Sequence, residues 1–280
     1  MAPNKEQLEA WNGCESVHYI DHAVRYDRQL APFTEALLEQ VRLPPHRSVL
    51  DVGCGCGALT LAAARFADSV IGIDISTPLT EVASQRACTS RIDNVDFVVA
   101  DAQTYAFSPG TFDLVVSQFG LMFFDDPIEA FSNVRRSLAP GGRLAFISWQ
   151  GLSENEWLSV IASEVANRVE VPEFGGLSSG PGMFALIHQD ETTVLLESAG
   201  FVEVAFESLA PTIVIGGGGT VDESLEFLLG MGMARGLVGL AGTDVYEEVV
   251  EAVRSSLTQH YEPGVGVQLG ASAWMVTALT

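Results

Sequence analysis

The sequence predicts an α/β fold, a mostly parallel sheet with helices on both faces. Two observations between residues 47 and 149 predict it. Five β-branched apolar runs alternate there with stretches of helical apolar spacing, the signature of parallel strands joined by crossover helices. The runs are apolar at nearly every position rather than at alternate ones, as strands covered on both faces require.

Taken in order, the strands fall at SVLDVG (48–53), SVIGIDI (69–75), VDFVVAD (95–101), FDLVVSQ (112–118) and GRLAFISW (142–149). Between them, ALTLAAARFA, PLTEVASQRA and PIEAFSNVRRSL read as helices, and Pro127 suits a first turn, where its missing N–H would have no partner anyway. APGGR (139–143) stops a helix and turns into the next strand. In front of this region, AVRYDRQLAPFTEALLEQV (23–41) has helical spacing, with Pro32 expected to divide two helices or to sit in the first turn of the second. RLPPHR then closes the helical segment.

Behind residue 150 the regular alternation stops. Residues 151–170 read as a helix capped by Ser153, with Glu156 completing a capping box. The Gly-, Pro- and Ser-rich stretch 171–185 has the length of a lid or binding loop. A helix over 190–201, a strand over 202–210, helices over 221–237 and 244–261, and a last strand over 270–279 complete the chain.

Composition narrows the function. The chain has 280 residues, 48% hydrophobic and 18% charged, enough for one large domain or a domain with a substantial lid. A net charge of -22 repels polyphosphates and anionic lipid, which argues against nucleic acid and membrane surfaces as partners. No apolar stretch reaches the roughly 18 residues of a membrane span, and the amino end has no apolar region of the secretory type, so the expected location is cytoplasmic. Cys14, Cys54, Cys56 and Cys88 have no framework spacing and read as free thiols.

The turn VLDVGCGCGALTLA (49–62) allows three chemistries. A metal site would need further soft ligands at ligand spacing, which Cys54 and Cys56 lack, so no metal is expected and both cysteines read as small fillers of a crowded turn. A dinucleotide loop fits the pattern of Gly53, Gly55 and Ala58. Asp51, two residues before Gly53, opposes it, because a fixed negative charge repels pyrophosphate but can hold an ammonium group. An acid at the end of the second strand, Asp74, suits the ribose of either kind of cofactor.

With Asp51 in place, VLDVGCGCG (49–57) resembles the first motif, D/E-x-G-x-G-x-G, of class I S-adenosylmethionine-dependent methyltransferases. GIDIS (72–76) is similar to the second-strand motif, which implies Asp74 on the ribose hydroxyls and Ile75 against adenine. VVADAQ (98–103) is similar to the third, which implies Asp101 at the adenine amino group and the Ala102 backbone at a ring nitrogen. VSQFGLMFFDDP (116–127) resembles the fourth-strand segment of the ubiquinone- and menaquinone-biosynthesis type, and LAPGGRLAF (138–146) fits the turn into strand five. The resemblance implies a seven-stranded sheet whose last strand is antiparallel, with S-adenosyl-L-methionine as cofactor. It implies contacts from Asp51, Gly53, Gly55, Gly57, Asp74, Ile75, Asp101, Ala102 and Ser117. Residues 1–46 would then form a helical cap, 47–150 the cofactor-binding core, and 151–280 the rest of the sheet with helical insertions forming an acceptor lid.

Methyl transfer is an in-line displacement dominated by alignment, and a base is needed only when the acceptor must lose a proton. In VHYIDHAVRYDRQL (17–30), Tyr19, His22 and Tyr26 recur at helical spacing, a lid with Tyr19 or Tyr26 over the methionine group and His22 or Tyr26 at the chemistry; an ordinary half-buried helix would look the same. His188 is a further catalytic candidate unless it is an exposed cap. Gln118, Phe119, Met122, Phe123 and Trp149 are candidates to line the acceptor pocket unless they simply pack the core. His18, His46 and His260 have no motif around them and read as solvated.

The expected function is methyl transfer to a small apolar aromatic or heterocyclic acceptor in secondary metabolism, C-methylation of an indole or quinol being one version. O- or N-methylation, or a cofactor-binding cyclase or accessory protein, are the alternatives; a homodimer is compatible with all of them. A nicotinamide oxidoreductase is disfavoured by Asp51. If the cysteines are fillers, Cys54→Ala and Cys56→Ala will bind S-adenosylhomocysteine as tightly as the parent in calorimetry, whereas loss of binding in either would restore a role for the thiols.

Overall fold

A computed structural model of the chain describes residues 3–41, 47–170 and 180–280. Helices α1 (Lys5–Trp11), α2 (Cys14–Asp21) and α3 (Ala23–Val41) come first. The wound core follows as β1 (Ser48–Val52), α4 (Ala58–Ala63), β2 (Ser69–Asp74), α5 (Thr77–Ser90), β3 (Val95–Val99), β4 (Phe112–Gln118), α6 (Pro127–Ser137) and β5 (Leu138–Trp149). Then come α7 (Glu156–Ala166), α8 (Gln189–Ser198), β6 (Val202–Leu209), β7 (Thr212–Val214), α9 (Val221–Gly230), α10 (Gly232–Gly239), α11 (Gly242–Gln259), β8 (Tyr261–Glu262), β9 (Gly266–Gly270) and β10 (Ala273–Leu279).

The main sheet has seven strands in the order β3-β2-β1-β4-β5-β10-β6. The β1–β2, β2–β3, β1–β4 and β4–β5 pairs are parallel, and β10 lies antiparallel between β5 and β6. The apolar runs explain the order, since Val49 and Leu50 of β1, Val115 and Val116 of β4, and Leu144 to Ile147 of β5 are all buried. Local signals set the helix starts: Ser76 accepts from the Leu79 N–H at 3.3 Å, Asp126 accepts from the Glu129 N–H at 2.9 Å just before Pro127, and Thr220 and Glu223 form a capping box.

Three expectations need correction. Pro32 does not divide α3, and the break falls earlier, at His22. Burial of Phe33, Leu37 and Val41 on one face of α3, about 1.5–3 kcal/mol for each large side chain, outweighs the ~3 kcal/mol that a mid-helix proline costs. Ser153 does not cap α7; the helix starts at Glu156, and Asn155 turns its amide back onto the carbonyls of Gln150, Gly151 and Ser272. The segment 221–237 breaks at Met231 into α9 and α10. The expected last strand is β10, and ahead of it β7, β8 and β9, not foreseen as strands, pair in a separate small sheet. The APGGR turn survives as a bulge inside β5, where Phe112 faces Leu138 but Leu114 faces Arg143. The first nine residues of the expected loop, 171–179, lie outside the described residues.

Helix α3 is keyed to the sheet by Phe33, whose ring meets those of Phe119 and Trp149 edge-on at 5.4 Å each. Phe33→Ala should therefore lower unfolding free energy by about 3–5 kcal/mol, read by circular dichroism; a loss below about 1 kcal/mol would show that the contact is not what fixes α3.

Candidate active site

The carboxyl ends of β1, β2 and β4 open into one cavity of about 830 Å³, roofed by α1–α3 and by the α9–α10 region. Its floor begins at the glycine turn. The N–H groups of Gly53 and Cys54 both reach the Ile73 carbonyl, at 2.8 and 3.2 Å, which pins the turn against β2. Gly55, at φ +51°, faces the cavity, where a Cβ would stand 4.0 Å from the Tyr19 ring. Asp74 accepts the N–H groups of Gly55 and Ser76, each at 2.8 Å, and keeps spare lone pairs for further donors. Burial holds its carboxyl above the usual range, against the pull of those backbone donors.

Asp101 stands across from it, and both of its oxygens accept from the Asn4 amide at 2.9 Å. Asn4 and Asp125 also exchange hydrogen bonds, the Asp125 N–H donating to the Asn4 side-chain oxygen at 2.6 Å and the Asn4 N–H to the Asp125 carboxylate at 2.5 Å. The amino end is thereby a wall of the cavity. Trp11 of α1 extends that wall, edge-on to Tyr19 and to Phe123, while its carbonyl accepts the Ser76 hydroxyl at 2.6 Å.

The other end of the cavity is aromatic and thioether. Phe119 and Trp149 stack with centroids 4.0 Å apart and 9° between planes, and Met122, Met183, Met231 and Met233 line the same cavity. Phe119 holds φ +60°, a conformation strained for a bulky residue, and so leaves β4 with its ring in the wall. Tyr19 and Tyr26 stack at 4.0 Å and 13° between the two ends.

Of the residues singled out from sequence, the cavity brings together Tyr19, Tyr26, Gly53, Gly55, Asp74, Ile75, Asp101, Ala102, Gln118, Phe119, Met122, Phe123 and Trp149. Five stand elsewhere. Asp51 is buried beneath the turn and accepts the Thr60 hydroxyl at 2.6 Å, so it ties β1 to α4 instead of standing at the mouth. Gly57, at φ +82°, seats the start of α4 against Ala83, where a Cβ would come within 2.9 Å. Ser117 is fully buried and accepts the Gly120 N–H at 3.2 Å, bracing the turn after β4. His22 packs on Phe227 behind the tyrosines, and His188 is exposed at the start of α8. His18, expected to be solvated, is half-buried and bonded to the Tyr26 hydroxyl at 3.0 Å. Its eight-residue spacing from Tyr26 was the available signal, hidden by the helix break between them. Cys54 and Cys56 are buried, with their thiols pushed up in pKa by burial first, Cys56 to about 12. Among the described residues, no group of three or more acids, cysteines and histidines has metal-binding geometry.

Glu15, Asp74 and Asp101 are the charged residues of the lining, with no Lys, Arg or His among the described residues there. Fold and site together define a doubly wound α/β protein with a cavity at the strand carboxyl termini lined by acidic, aromatic and thioether side chains. Residues 50–146 match a family described as Methyltransferase domain. The ubiquinone/menaquinone biosynthesis C-methyltransferase UbiE of Marinomonas sp. (strain MWYL1) is 30% identical over 179 residues, 59% of this chain and 70% of that one. Aklanonic acid methyltransferase DauC of Streptomyces sp. (strain C5) is 38% identical over 103 residues, 36% of this chain and 47% of that one. The crystal structure of the YcgJ protein from Bacillus subtilis superposes with a TM-score of 0.59 at 16% identity, covering 88% of this chain and 97% of that one. The chain belongs to the class I S-adenosylmethionine-dependent methyltransferase family. It spans about half the length of several curated relatives that it matches, 47% for DauC and for an uncharacterized protein of Mycobacterium tuberculosis. Among the described residues, no helix is long and apolar enough to cross a membrane.

Burial pushes the Asp51 carboxyl up to about 7, the Thr60 hydrogen bond opposing and Asp74 adding to the rise. The folded protein thus keeps a proton that the unfolded chain releases near pH 3.8, and stability falls as pH rises from about 4 to about 7. The full penalty above pH 7 is on the order of 4 kcal/mol. Asp51→Asn should raise the thermal midpoint at pH 8 but not at pH 4, measured by calorimetry; an equal effect at both would rule out the buried proton.

Proposed function

We propose that the protein transfers a methyl group from S-adenosylmethionine to a small apolar aromatic or heterocyclic acceptor. The observation that carries this reading is the cavity itself, lined by acidic, aromatic and thioether side chains and without a cation among its described residues. The donor set fits the cofactor. Asp74 has lone pairs free for ribose hydroxyls, and Asp101 already accepts an amide NH₂ from the cavity side, the kind of donor that an adenine amino group presents. Ile75 and Ala102 line the same cavity, and Gly55 leaves open the space below Tyr19. When bound, the cofactor supplies a methyl group on a sulfonium that leaves readily.

The chain's own part is alignment and exclusion of water. The stacked Tyr19 and Tyr26 present ring faces that favour a nearby cation. Phe119 and Trp149 offer a stacked wall to a planar acceptor, and Gln118, held by the Thr34 hydroxyl at 2.8 Å, supplies an orienting amide. The four methionines let this end shape itself to an aromatic substrate. A quinone-type acceptor is in keeping with the name of UbiE. A phosphorylated acceptor would meet only negative charge on the described wall.

The protein should bind S-adenosylhomocysteine in calorimetry, and Gly55→Val should weaken binding by about 100-fold or more, ~2.7 kcal/mol. Mass spectrometry with isotopically labelled cofactor, and 1-naphthol and indole as probe acceptors, should show a product heavier by one methyl. Parent protein that does not bind S-adenosylhomocysteine would sink the reading; binding without methylation of any aromatic probe would favour a non-methylating role.

A further inference from the structure

Tyr19 and Tyr26 are the hydroxyl-bearing residues of the cavity lining among the described residues, and no histidine is among them. The two phenols are not equivalent. Tyr19 meets its neighbours through ring contacts with Trp11 and Tyr26, whereas the Tyr26 hydroxyl lies 3.0 Å from Nδ1 of His18. His18 is wedged behind the wall, perpendicular to Tyr26 with centroids 5.7 Å apart, and 5.4 Å from the ring of Phe227 on α9. Its Nε2 is buried without a hydrogen-bond partner against Gly230, where any Cβ would collide with the imidazole.

A neutral imidazole carries one N–H and one bare nitrogen, and the partner of each decides which is which. A phenol is a good donor and an imidazole nitrogen a strong acceptor, so Tyr26 donates to Nδ1 and the ring's own hydrogen sits on Nε2. Burial first, then His22, Arg235 of α10 and Arg25 of α3, hold the imidazole neutral below its ordinary range, with Glu15 of α2 opposing. Burial likewise holds the Tyr26 phenol protonated well above its ordinary range. The phenol therefore gives up its proton only as it receives another.

We propose that His18 and Tyr26 together form the proton-accepting pair of this site, for an acceptor that loses an O–H or N–H proton as it is methylated. The acceptor's X–H bond breaks and its electron pair stays on the acceptor. The proton bonds to the Tyr26 oxygen, whose own proton crosses the hydrogen bond to the electron pair of His18 Nδ1. Glu15 then offsets part of the charge of the imidazolium. The pair rests on the methyl-transfer reading for its acceptor. Tyr26 is the group that touches the acceptor, and His18 acts through it as a positioning residue.

Nitrogen-15 NMR of histidine-labelled full chain tests the pair without any acceptor. The His18 signals, assigned by their loss in His18→Gln, should show bare Nδ1 and protonated Nε2 at pH 7.5, and a midpoint below 6.5. Tyr26→Phe, which keeps the ring stack, should weaken that tautomer preference. A protonated Nδ1, a midpoint at or above 6.5, or indifference to Tyr26→Phe would overturn the pair. With 1-naphthol as probe, His18→Gln should lower kcat about a hundredfold, leave KM nearly unchanged and remove the low-pH limb of the rate profile; a parental profile would also overturn it. Parent protein that does not methylate 1-naphthol counts against the acceptor reading, while the histidine titration still decides the pair.

Discussion

Two backbones touch where β1 and β4 end, and the rest of the site depends on that contact. A Cβ on Gly53 would stand 2.8 Å from Gly120 Cα, and one on Gly120 would stand 2.6 Å from the Val52 carbonyl oxygen. Only glycine at both positions lets the strands part this closely, and the partition decides what lies on either side. On one side the chain turns into α4 and bares Gly55. On the other it leaves β4 through Phe119, whose strained backbone delivers an aromatic ring to the wall. The nucleoside end and the ring-lined end are thus adjacent because two side chains are missing between them.

Charge follows from this geometry. Asp51 and Asp74 sit at the ends of neighbouring parallel strands, both with carboxyls raised in pKa by burial, and Asp74 adds to the rise at Asp51. Asp51 accepts the Thr60 hydroxyl, and Asp74 accepts the N–H groups of Gly55 and Ser76. Burial disfavours the charged form of both carboxyls, and a cation near this corner favours it. An anion would disfavour it further, which is the physical difference between a sulfonium site and a pyrophosphate site built on the same turn.

The wound core was legible because consecutive β-branched residues can be buried only in a two-sided sheet, and the motif acids mark the strand ends. Asp74 and Asp101 reach the cavity for that reason. Asp51 was misread because sequence spacing gives the distance to Gly53 but not the side of the turn, and the side is decided by the Thr60 hydroxyl on α4. His18 and Asn4 were illegible for another reason: their partners, Tyr26 across a helix break and Asp101 and Asp125 far along the chain, are set by tertiary docking and leave no periodic trace. Pro32 shows the converse, a strong local signal overridden by the apolar face of α3.

Asn4 meets Asp125 across 121 residues of chain, and Trp11 meets Ser76 across 65. Helices α1 and α2 have seven and eight residues and no side-chain caps, too short to persist without the surfaces on which they dock. The pocket therefore depends on the docking of α1 and α2 as well as on the sheet. Its integrity is set by a local docking equilibrium that lies below the global one. Mild heat or denaturant that leaves the sheet intact can abolish the site, so for this molecule being folded and being competent to bind are separate conditions.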